Sequence, residues 1–346
     1  MRRLFLHIGA DKCGSSSLQG YFSNIPRMMQ RDGRPLRYVL FKPVGIVGPT
    51  QVRQRTSHSP LGYVSSAPLS ALSWKKPEVL EQVNRFLHRQ EGDLITSCEL
   101  WLRELPTAHG IERLQQLLVH LDSVELHLIC TVRPPLEWLN SAWWQWGAWD
   151  NGARFDSWLD QAVQLTNWDR LLQKVATSLP EAKIHVGCSK PDVINTVLEM
   201  IGVDRNGRKN TPQINQSLPA AVLRLYQHQR LLRPNPNHCS IDFSALAALS
   251  TAKSKLEPAP WVINPSNVEL ILQRSADSTE RLLEWLSPRE KAKMHSDSGW
   301  WDQRAYADRT VEDPHQAPVP QLEELCAEVL QAYHDQRLQI LRLTSS

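Results

Sequence analysis

Hydrophobic and polar positions follow two patterns along the first 205 residues. Short apolar runs rich in β-branched or aromatic residues predict strands, and stretches of helical period lie between them. The predicted strands are Leu4 to Ile8, Leu36 to Phe41, Asp93 to Thr96, Glu125 to Val132 and Lys183 to Val186. The predicted helices are Ser16 to Phe22, Pro77 to Arg89, Ile111 to Leu121, Leu136 to Trp146, Trp168 to Leu179 and Asp192 to Ile201. Strands that alternate with helices favour parallel pairing, so we expect an α/β three-layer sandwich with a central parallel sheet.

Beyond residue 205 the strand pattern stops. Helices are predicted near Pro219 to Leu232, Val268 to Leu286 and Leu322 to Leu343, and the proline-rich stretch Pro234 to Pro265 predicts an irregular loop. We therefore expect a single domain over 1–346, with an α/β core over 1–205 and a mostly helical part over 206–346 packed on it. Gly48 to Ser73 is rich in Ser, Pro and Gly and has little periodicity, so it is either a lid or substrate loop or plain surface disorder.

The composition of the chain argues against several classes of protein but does not by itself assign a function. The chain has 346 residues, 41% of them hydrophobic, and 39 basic against 36 acidic side chains give a formal charge of +3. That balance does not favour nucleic-acid binding. The apolar start at Leu4 is too short for a secretory leader and is interrupted by His7, and no run approaches the ~18 apolar residues of a membrane span. We expect no membrane segment and a cytoplasmic protein.

The six cysteines lie far apart and form no Cys-x-x-Cys pair. Neither a zinc site nor a dense disulfide framework is indicated. Cys130, for example, lies in an apolar run, where a free thiol packs like a small hydrophobe. A reducing compartment fits this usage best.

A glycine-bounded loop follows the first predicted strand, from Gly9 to Gly14, and a helix begins directly after it. Such a loop points several backbone N–H groups at one spot, where the helix dipole adds positive potential, so it is suited to a phosphate. In nucleoside triphosphatases a lysine follows the second glycine and a Ser or Thr binds magnesium. Here Ser15 holds that lysine's position and Lys12 lies inside the loop. The alternative is a Gly/Ser turn that only caps a helix.

Lys12-Cys13-Gly14-Ser15-Ser16 resembles the 5'-phosphosulfate loop of the sulfotransferases, usually Pro-Lys-Thr-Gly-Thr-Thr or Pro-Lys-Ser-Gly-Thr-Thr. The chain departs from that form with Asp11 for Pro, Cys13 for Thr or Ser, and serines for both threonines. The resemblance implies a P-loop-like fold and the co-substrate 3'-phosphoadenosine 5'-phosphosulfate, PAPS. It also assigns nucleotide binding to the loop and the first helical residues, namely Lys12, Cys13, Gly14, Ser15, Ser16 and Ser17.

A second motif follows the strand that ends at Val132. Arg133 offers a rigid fork for bidentate phosphate recognition, and Ser141, eight residues further on, can face back toward the same anion. This pattern resembles the 3'-phosphate motif of the same family, which implies that Arg133 and Ser141 bind the 3'-phosphate. Each residue alone is equally compatible with a surface role. Both motifs follow apolar strands, and ligands of α/β sheets bind at those strand ends, so we expect the Lys12 loop and the Arg133/Ser141 pair to lie side by side.

Weaker agreement comes from Asn215-Gln216-Ser217-Leu218, which resembles an Asn-x-Ser segment of bacterial sulfotransferases. The resemblance then spans roughly residues 4 to 220. Arg205, Arg208 and Lys209 could neutralise a nucleotide phosphate, or could belong to a solvated basic loop.

The resemblance implies sulfuryl transfer from PAPS to a hydroxyl or amine of a glycan, glycolipid or small molecule. Sulfuryl transfer resembles phosphoryl transfer, an in-line displacement in which the protein positions groups and stabilises developing charge. Lys12 is the candidate cation at the leaving oxygen. The loop lacks the magnesium arrangement, so no metal is expected to be required.

The acceptor must lose a proton, and a base at the end of the neighbouring strand could take it. Cys98-Glu99-Leu100-Trp101 resembles the Ser-x-Glu strand end of bacterial and glycan-type sulfotransferases, which implies that Glu99 is the catalytic base. Glu99 could instead pair with Arg103, and His58 is the alternative base. A tryptophan cluster follows, in which core packing and an acceptor cleft are both open roles; it comprises Trp138, Trp143, Trp144, Trp146 and Trp149.

Two rival functions stay open. A P-loop kinase or nucleotide hydrolase would need a lysine after Gly14, and an inactive nucleotide-binding relative is compatible with Asp11 and Cys13. A Rossmann dehydrogenase is disfavoured because Gly-x-Gly-x-x-Gly is absent after the first strand. The sequence identifies neither the acceptor nor the oligomeric state.

Overall fold

The computed structural model describes residues 1–59, 61–72, 74, 76–121, 124–149, 154–205, 223 and 260–316, with scattered positions between 323 and 335. Its strands are β1 (Arg2–His7), β2 (Arg27–Met29), β3 (Pro35–Tyr38), β4 (Leu40–Lys42), β5 (Gly45–Val47), β6 (Asp93–Ser97), β7 (Val124–Val132) and β8 (Lys183–Cys188). Its helices are α1 (Ser15–Asn24), α2 (Pro49–Ser57), α3 (Pro77–Arg89), α4 (Trp101–Glu104), α5 (Ala108–Val119), α6 (Pro135–Gln145), α7 (Phe155–Ala162), α8 (Trp168–Ser178), α9 (Val193–Met200), α10 (Pro265–Leu282) and α11 (Pro288–Ser296).

In the described residues the central sheet has six strands in the order β2-β3-β6-β1-β7-β8. All neighbours pair in parallel except β2, which runs antiparallel to β3 at the edge. β1 lies between β6 and β7, so that Leu6 faces Thr96 on one side and Leu128 on the other. β4 and β5 form a separate antiparallel hairpin.

Burial along β1 shows why this sheet lies in the middle of the fold. Leu4, Phe5, Leu6 and His7 are all buried. Since successive side chains of a strand point to opposite faces, both faces of the sheet must be covered. On one face Phe5, Ile95 and Ile129 belong to one hydrophobic cluster with residues of α1 and α9, among them Leu18, Phe22, Val197 and Leu198.

The predicted fold class is confirmed: the chain is an α/β protein whose mostly parallel central sheet is flanked by helices. The bounds of α3 agree with the predicted helix, and the other predicted elements before residue 205 are found with small shifts at their ends. One predicted strand is two, because β3 ends at Tyr38 and β4 begins at Leu40.

The segment 48–73 corrects a second prediction. It is not irregular throughout, since its first part forms α2 with Pro49 in the first turn, where proline's fixed φ suits a helix. Only Pro49, Val52 and Thr56 of this helix are buried. A single apolar side chain in the middle of a polar stretch gives no detectable period, so the sequence pattern did not reveal the helix.

The C-terminal predictions are tested only in part. α10 begins three residues before the predicted Val268 and ends at Leu282, followed by a short 3-10 turn over Leu283–Trp285. The predicted helix over Pro219 to Leu232 falls almost wholly outside the described residues, and that over Leu322 to Leu343 is described only at scattered positions. Most of the proline-rich stretch, residues 234–259, also lies outside them.

The chain divides into two compact units. One comprises Met1–Trp138, Gln164–Asn215 and Leu272–Asp302, and holds the central sheet; the other comprises Leu139–Val163, Gln216–Ile271 and Gln303–Ser346. Within the first unit, Ser278 and Arg281 of α10 bind the buried carboxylate of Asp169 on α8. Within the second, Asn140 donates to the Pro260 carbonyl (3.0 Å) and accepts from the Val262 N–H (2.9 Å). The single domain of the sequence prediction stays a prediction.

No helix among the described residues is both long and apolar enough to cross a membrane.

Candidate functional site

The candidate site lies where β1, β6 and β7 end. The chain passes from β1 to strands on one side of it, returns past it to β7, and continues to β8 on the other side. Ligands of open α/β sheets bind at the carboxyl ends of the strands where the order changes direction in this way. Here the Gly9–Gly14 loop follows β1, Glu99 follows β6 and Arg133 follows β7.

The loop between β1 and α1 is held in left-handed backbone conformations. Gly9, Lys12 and Gly14 have φ angles of +30°, +62° and +94°. Positive φ is easy for glycine but costs a residue such as Lys12 free energy, and such strain clusters at functional sites. Alternation of right- and left-handed residues turns successive backbone N–H groups inward, a geometry that binds anions.

Three side chains, from β7, from α6 and from the turn between them, donate hydrogen bonds to three consecutive carbonyl oxygens of this loop. Trp138 Nε1 donates to the Asp11 carbonyl (2.7 Å), Arg133 to that of Lys12 (2.9 Å) and the Thr131 hydroxyl to that of Cys13 (3.1 Å). In a trans peptide the N–H points opposite to the C=O. The bonds to the Asp11 and Cys13 carbonyls therefore turn the N–H groups of Lys12 and Gly14 away from their donors, Trp138 and Thr131.

Glu99 lies beside the loop on the side of β6. The pKa of its carboxyl group is raised to about 7: burial and then the charge of Asp11 raise it, and Lys12, Arg103 and Ser15 lower it by less. Ser15 lies next to this carboxyl group without a hydrogen bond of ordinary geometry between them. A half-buried carboxyl group that titrates near neutrality is suited to proton transfer.

Asp11, the second carboxyl group at the loop, pairs with the nearby cation Arg103. Its carboxylate is 7% exposed and pairs with Arg103 at 2.5 Å. Burial raises the pKa of Asp11, and Arg103 and Lys12 lower it. Arg103 therefore bonds directly to Asp11, and Glu99 feels its charge at longer range.

A buried polar chain lies beneath the loop. His7, at the end of β1, is fully buried, and its Nδ1 is 2.8 Å from Ser97 Oγ, which also accepts from Gln19 (3.2 Å). Burial lowers the pKa of His7 to about 4, so the ring is neutral at pH 7. A Cβ on Gly9 would lie 2.7 Å from Ser15 Oγ and 2.8 Å from the His7 ring. Only glycine fits at position 9.

On the side of β7, Arg133 belongs to a charged triad. It donates to Glu137 Oε2 at 3.0 Å, and Lys190 bonds to the other oxygen of the same carboxylate. Burial raises the pKa of Glu137, but Lys190 and Arg133 lower it by more, so the group is ionised at neutral pH. Trp168 Nε1 donates to the Arg133 carbonyl at 3.4 Å.

The structure thus brings several predicted residues to one place. Lys12, Gly14 and Ser15 belong to the loop, and Arg133 and Glu99 adjoin it on either side. Ser16 and Ser17 lie in the first turn of α1, where the Tyr63 hydroxyl is 3.3 Å from Ser16 Oγ. Tyr63 comes from the segment 48–73, which therefore reaches the loop.

Other predicted residues lie elsewhere or stay untested. Cys13 is buried, burial raises the pKa of its thiol well above the usual range, and its N–H donates to the Ala10 carbonyl, so it braces the loop. Ser141 lies on α6 within the second unit, and its pairing with Arg133 stays a prediction. His58 is exposed at the end of α2 and bonds to Ser57 and Gln54.

The candidate nucleotide-binding residues further along the chain also receive no support. Arg205 pairs with Asp192 at the start of α9. Arg208, Lys209 and Asn215 to Leu218 lie outside the described residues.

The tryptophans of the cluster have two roles: some pack in the interior, and Trp138 binds the loop. Trp138, Trp143 and Trp144 are buried, and Trp143 packs edge-on against Phe155 and Trp158. Trp138 supports the loop through Asp11, a role that the sequence did not reveal. Thr131, Glu137, Lys190, His7 and Tyr63 were missed as well. Of these, only Lys190 carried a usable signal, as a cation just after a predicted strand.

No protein-family model matches this sequence, and no curated protein matches it. Among solved structures, the chain is similar to the crystal structure of a sulfotransferase from Alicyclobacillus acidocaldarius. The two share 14% identity with a TM-score of 0.41, over 87% of this chain and 99% of the other. So distant a likeness carries no functional argument, and function must be argued from the side chains of the site.

Proposed function

We propose that this protein is a sulfotransferase that moves a sulfuryl group from PAPS to an acceptor hydroxyl or amine. The observation that carries the proposal is the 2.9 Å hydrogen bond from Arg133 to the Lys12 carbonyl. It brings together the two elements proposed to bind phosphate, as a nucleotide with phosphates on both its 5' and 3' positions would require. The resemblance of the two motifs to the family supports the same assignment.

The loop fits the 5'-phosphosulfate end of such a nucleotide. Gly9 lets Ser15 and the His7 ring pack closely against the loop, where any Cβ would clash, and Lys12 brings a cation to the loop. When the sulfur–oxygen bond to the nucleotide breaks, the 5'-phosphate oxygen gains negative charge. Lys12, with the hydroxyls and N–H groups of Ser15, Ser16 and Ser17, would stabilise that charge. Arg133 and Ser141 would hold the 3'-phosphate.

Glu99 would act as the base. As the acceptor oxygen or nitrogen forms its bond to sulfur, its proton passes to the Glu99 carboxylate. A pKa near 7 leaves a substantial fraction of this group ionised at neutral pH and makes it a competent proton acceptor. The contacts of His58 with Ser57 and Gln54 give no support to the alternative base.

Acceptor class and compartment extend the proposal. A hydroxyl or amine of a glycan, glycolipid or small molecule suits the chemistry of the site equally. We propose a reducing, cytoplasmic setting, since the described cysteines, Cys13, Cys98, Cys130, Cys188 and Cys326, carry free thiols.

The proposal is tested by thermal shift with adenosine 3',5'-bisphosphate, the product nucleotide, against ATP with magnesium. The bisphosphate is expected to raise the midpoint of unfolding more than ATP, because a ligand that binds only the folded state stabilises it by mass action. Arg133→Ala should abolish the preference. Arg89→Ala is the matched control. Arg89 is exposed at the end of α3, just before β6 begins, so it lies at the amino ends of the strands, away from the candidate site.

Turnover is measured as release of the bisphosphate from PAPS with a panel of acceptors, including an amino-sugar oligosaccharide and 4-nitrophenol. A larger shift with ATP and magnesium would replace the proposal with a kinase or hydrolase. Binding of the bisphosphate without turnover across the panel would favour an inactive relative.

A further inference from the structure

The triad of Arg133, Glu137 and Lys190 offers a binding element that the sequence motifs did not contain. Lys190 follows β8, two residues after that strand ends at Cys188, and lies 53 residues from Glu137 along the chain. β8 pairs in parallel with β7, so the ends of the two strands lie side by side. The fold therefore brings a second cation next to Arg133.

The carboxylate of Glu137 fixes the spacing of the two cations. Arg133 bonds to Oε2 and Lys190 to Oε1. The two oxygens of a carboxylate are separated by nearly the same distance as two oxygens of a phosphate. Two cations placed on the oxygens of one carboxylate are thus spaced to contact two oxygens of one phosphate group.

Exposure shows which members of the triad face outward. The side chain of Glu137 is 10% exposed, whereas those of Arg133 and Lys190 are 23% and 46% exposed. The carboxylate is therefore on the inner side of the triad. Lys190 has three N–H donors, and each terminal nitrogen of Arg133 has two, of which the bonds to the Lys12 carbonyl and to Glu137 use one each, so both cations retain donors for a ligand.

We propose that Lys190 is a specificity-determining residue that, with Arg133, binds the 3'-phosphate and sets the preference for a nucleotide carrying one. The inference rests on the proposed function, because it assigns this triad to the 3' end of the same nucleotide. Glu137 is a positioning residue that keeps the two cations on one side. One anion on two cations leaves the triad with a net charge of +1, which favours a dianionic phosphate.

The test is calorimetric titration of the full chain with adenosine 3',5'-bisphosphate and with adenosine 5'-monophosphate, which lacks the 3'-phosphate. Lys190→Ala should lower the affinity for the bisphosphate about tenfold, since a charge-assisted hydrogen bond is lost. It should leave the affinity for the monophosphate within about twofold. Lys190→Arg should retain the preference for the bisphosphate.

Lys183→Ala is the matched control. Lys183 is 62% exposed and also pairs with a glutamate, Glu125. It is the first residue of β8, so it lies at the amino ends of the strands, away from the candidate site at their carboxyl ends. It should leave both affinities unchanged. If Lys190→Ala alters the midpoint of unfolding without ligand, Lys190→Gln keeps most of the side chain and serves in its place.

The outcomes separate the two proposals. A wild-type protein that does not prefer the bisphosphate contradicts the proposed function itself. If the wild type shows the preference, Arg133→Ala loses it and the Lys190 variants keep it, then only the role of Lys190 is overturned. Equal losses for both nucleotides would make Lys190 a general electrostatic contributor and would also overturn its role in specificity.

Discussion

Glu99, the proposed base, is a half-buried carboxyl group that lowers the stability of the fold at neutral pH. Its pKa rises from an ordinary 4.5 to about 7, chiefly because the carboxyl group is buried. Between these two pH values the folded chain holds a proton that the unfolded chain has already lost. The contribution of Glu99 to stability is therefore full below pH 4.5 and is lost as the pH rises through 7.

Glu99→Gln should consequently stabilise the fold at pH 8 while removing the proposed base. A shift of this size corresponds to a free energy of unfolding higher by about 3 kcal/mol at pH 8, and the gain should shrink as the pH falls toward 5. Turnover of PAPS with an active acceptor should drop about 100-fold or more. Thermal unfolding from pH 5 to 8.5 and bisphosphate release measure the two effects.

Glu112→Gln is the control for this substitution, because Glu112 is exposed on α5 and, within the described part of the chain, bonds only to Gln116. It should change neither quantity. A Glu99 variant that is less stable than wild type at pH 8 would show that the carboxylate supports the loop more than its burial costs.

At the scale of elements, the close approach of α9 to the Gly9–Gly14 loop limits which residues the loop can contain. Gly14 has a φ of +94°, and a Cβ there would lie 2.8 Å from Val193 Cγ1 at the start of α9. Both the backbone conformation and the available space therefore require glycine. The turn after β1 therefore packs directly against the start of α9, at Val193.

Gly14→Ala should lower the free energy of unfolding by about 2 kcal/mol and abolish the thermal shift with the bisphosphate. Urea unfolding measures the first effect. Gly33→Ala is the matched control, since Gly33 also has a positive φ, +79°, but no atom within 4 Å of an added Cβ. It should cost about 1 kcal/mol from backbone strain alone. Equal costs at both positions would show that Val193 moves aside freely.

The elements that sequence patterns predicted well are those whose burial is uniform. β1, β6 and β7 are apolar runs buried on both faces, and α3 has one sharply defined apolar side. α2 buries few side chains and was missed. For the site, strand ends indicated the Lys12 loop, Glu99 and Arg133. Trp138 binds Asp11 across 127 residues of chain, and no local pattern predicts a contact over such a separation.

At the scale of the whole molecule, the C-terminal helices contribute to the unit that holds the sheet. Asp169 of α8 is 5% exposed and accepts hydrogen bonds from Ser278 and Arg281 of α10, more than 100 residues later. α11 also reaches the sheet, since Glu290 accepts from the Cys188 N–H at 2.8 Å. The α/β part is thus completed by residues from the end of the chain.

Asp169→Ala should lower the free energy of unfolding by about 2 kcal/mol, because it leaves the buried Ser278 hydroxyl and the Arg281 guanidinium without their acceptor. Urea unfolding followed by circular dichroism checks this. Asp156→Ala is the control, since Asp156 also accepts a side-chain hydrogen bond, from Asn267, but is exposed. Comparable losses for the two variants would show that the α8–α10 contact adds little.

The three carbonyl bonds that Trp138, Arg133 and Thr131 make have a consequence for how this loop can diverge. Every residue carries a backbone carbonyl oxygen, so these hydrogen bonds can form whatever side chains positions 11 to 13 carry. Residues such as Asp11 and Cys13 can therefore stand in the loop without disturbing the course of its backbone. Substitutions can thus accumulate in this loop while its backbone conformation is kept. A chain that accumulates them would lose detectable sequence similarity before it lost the shape of the loop.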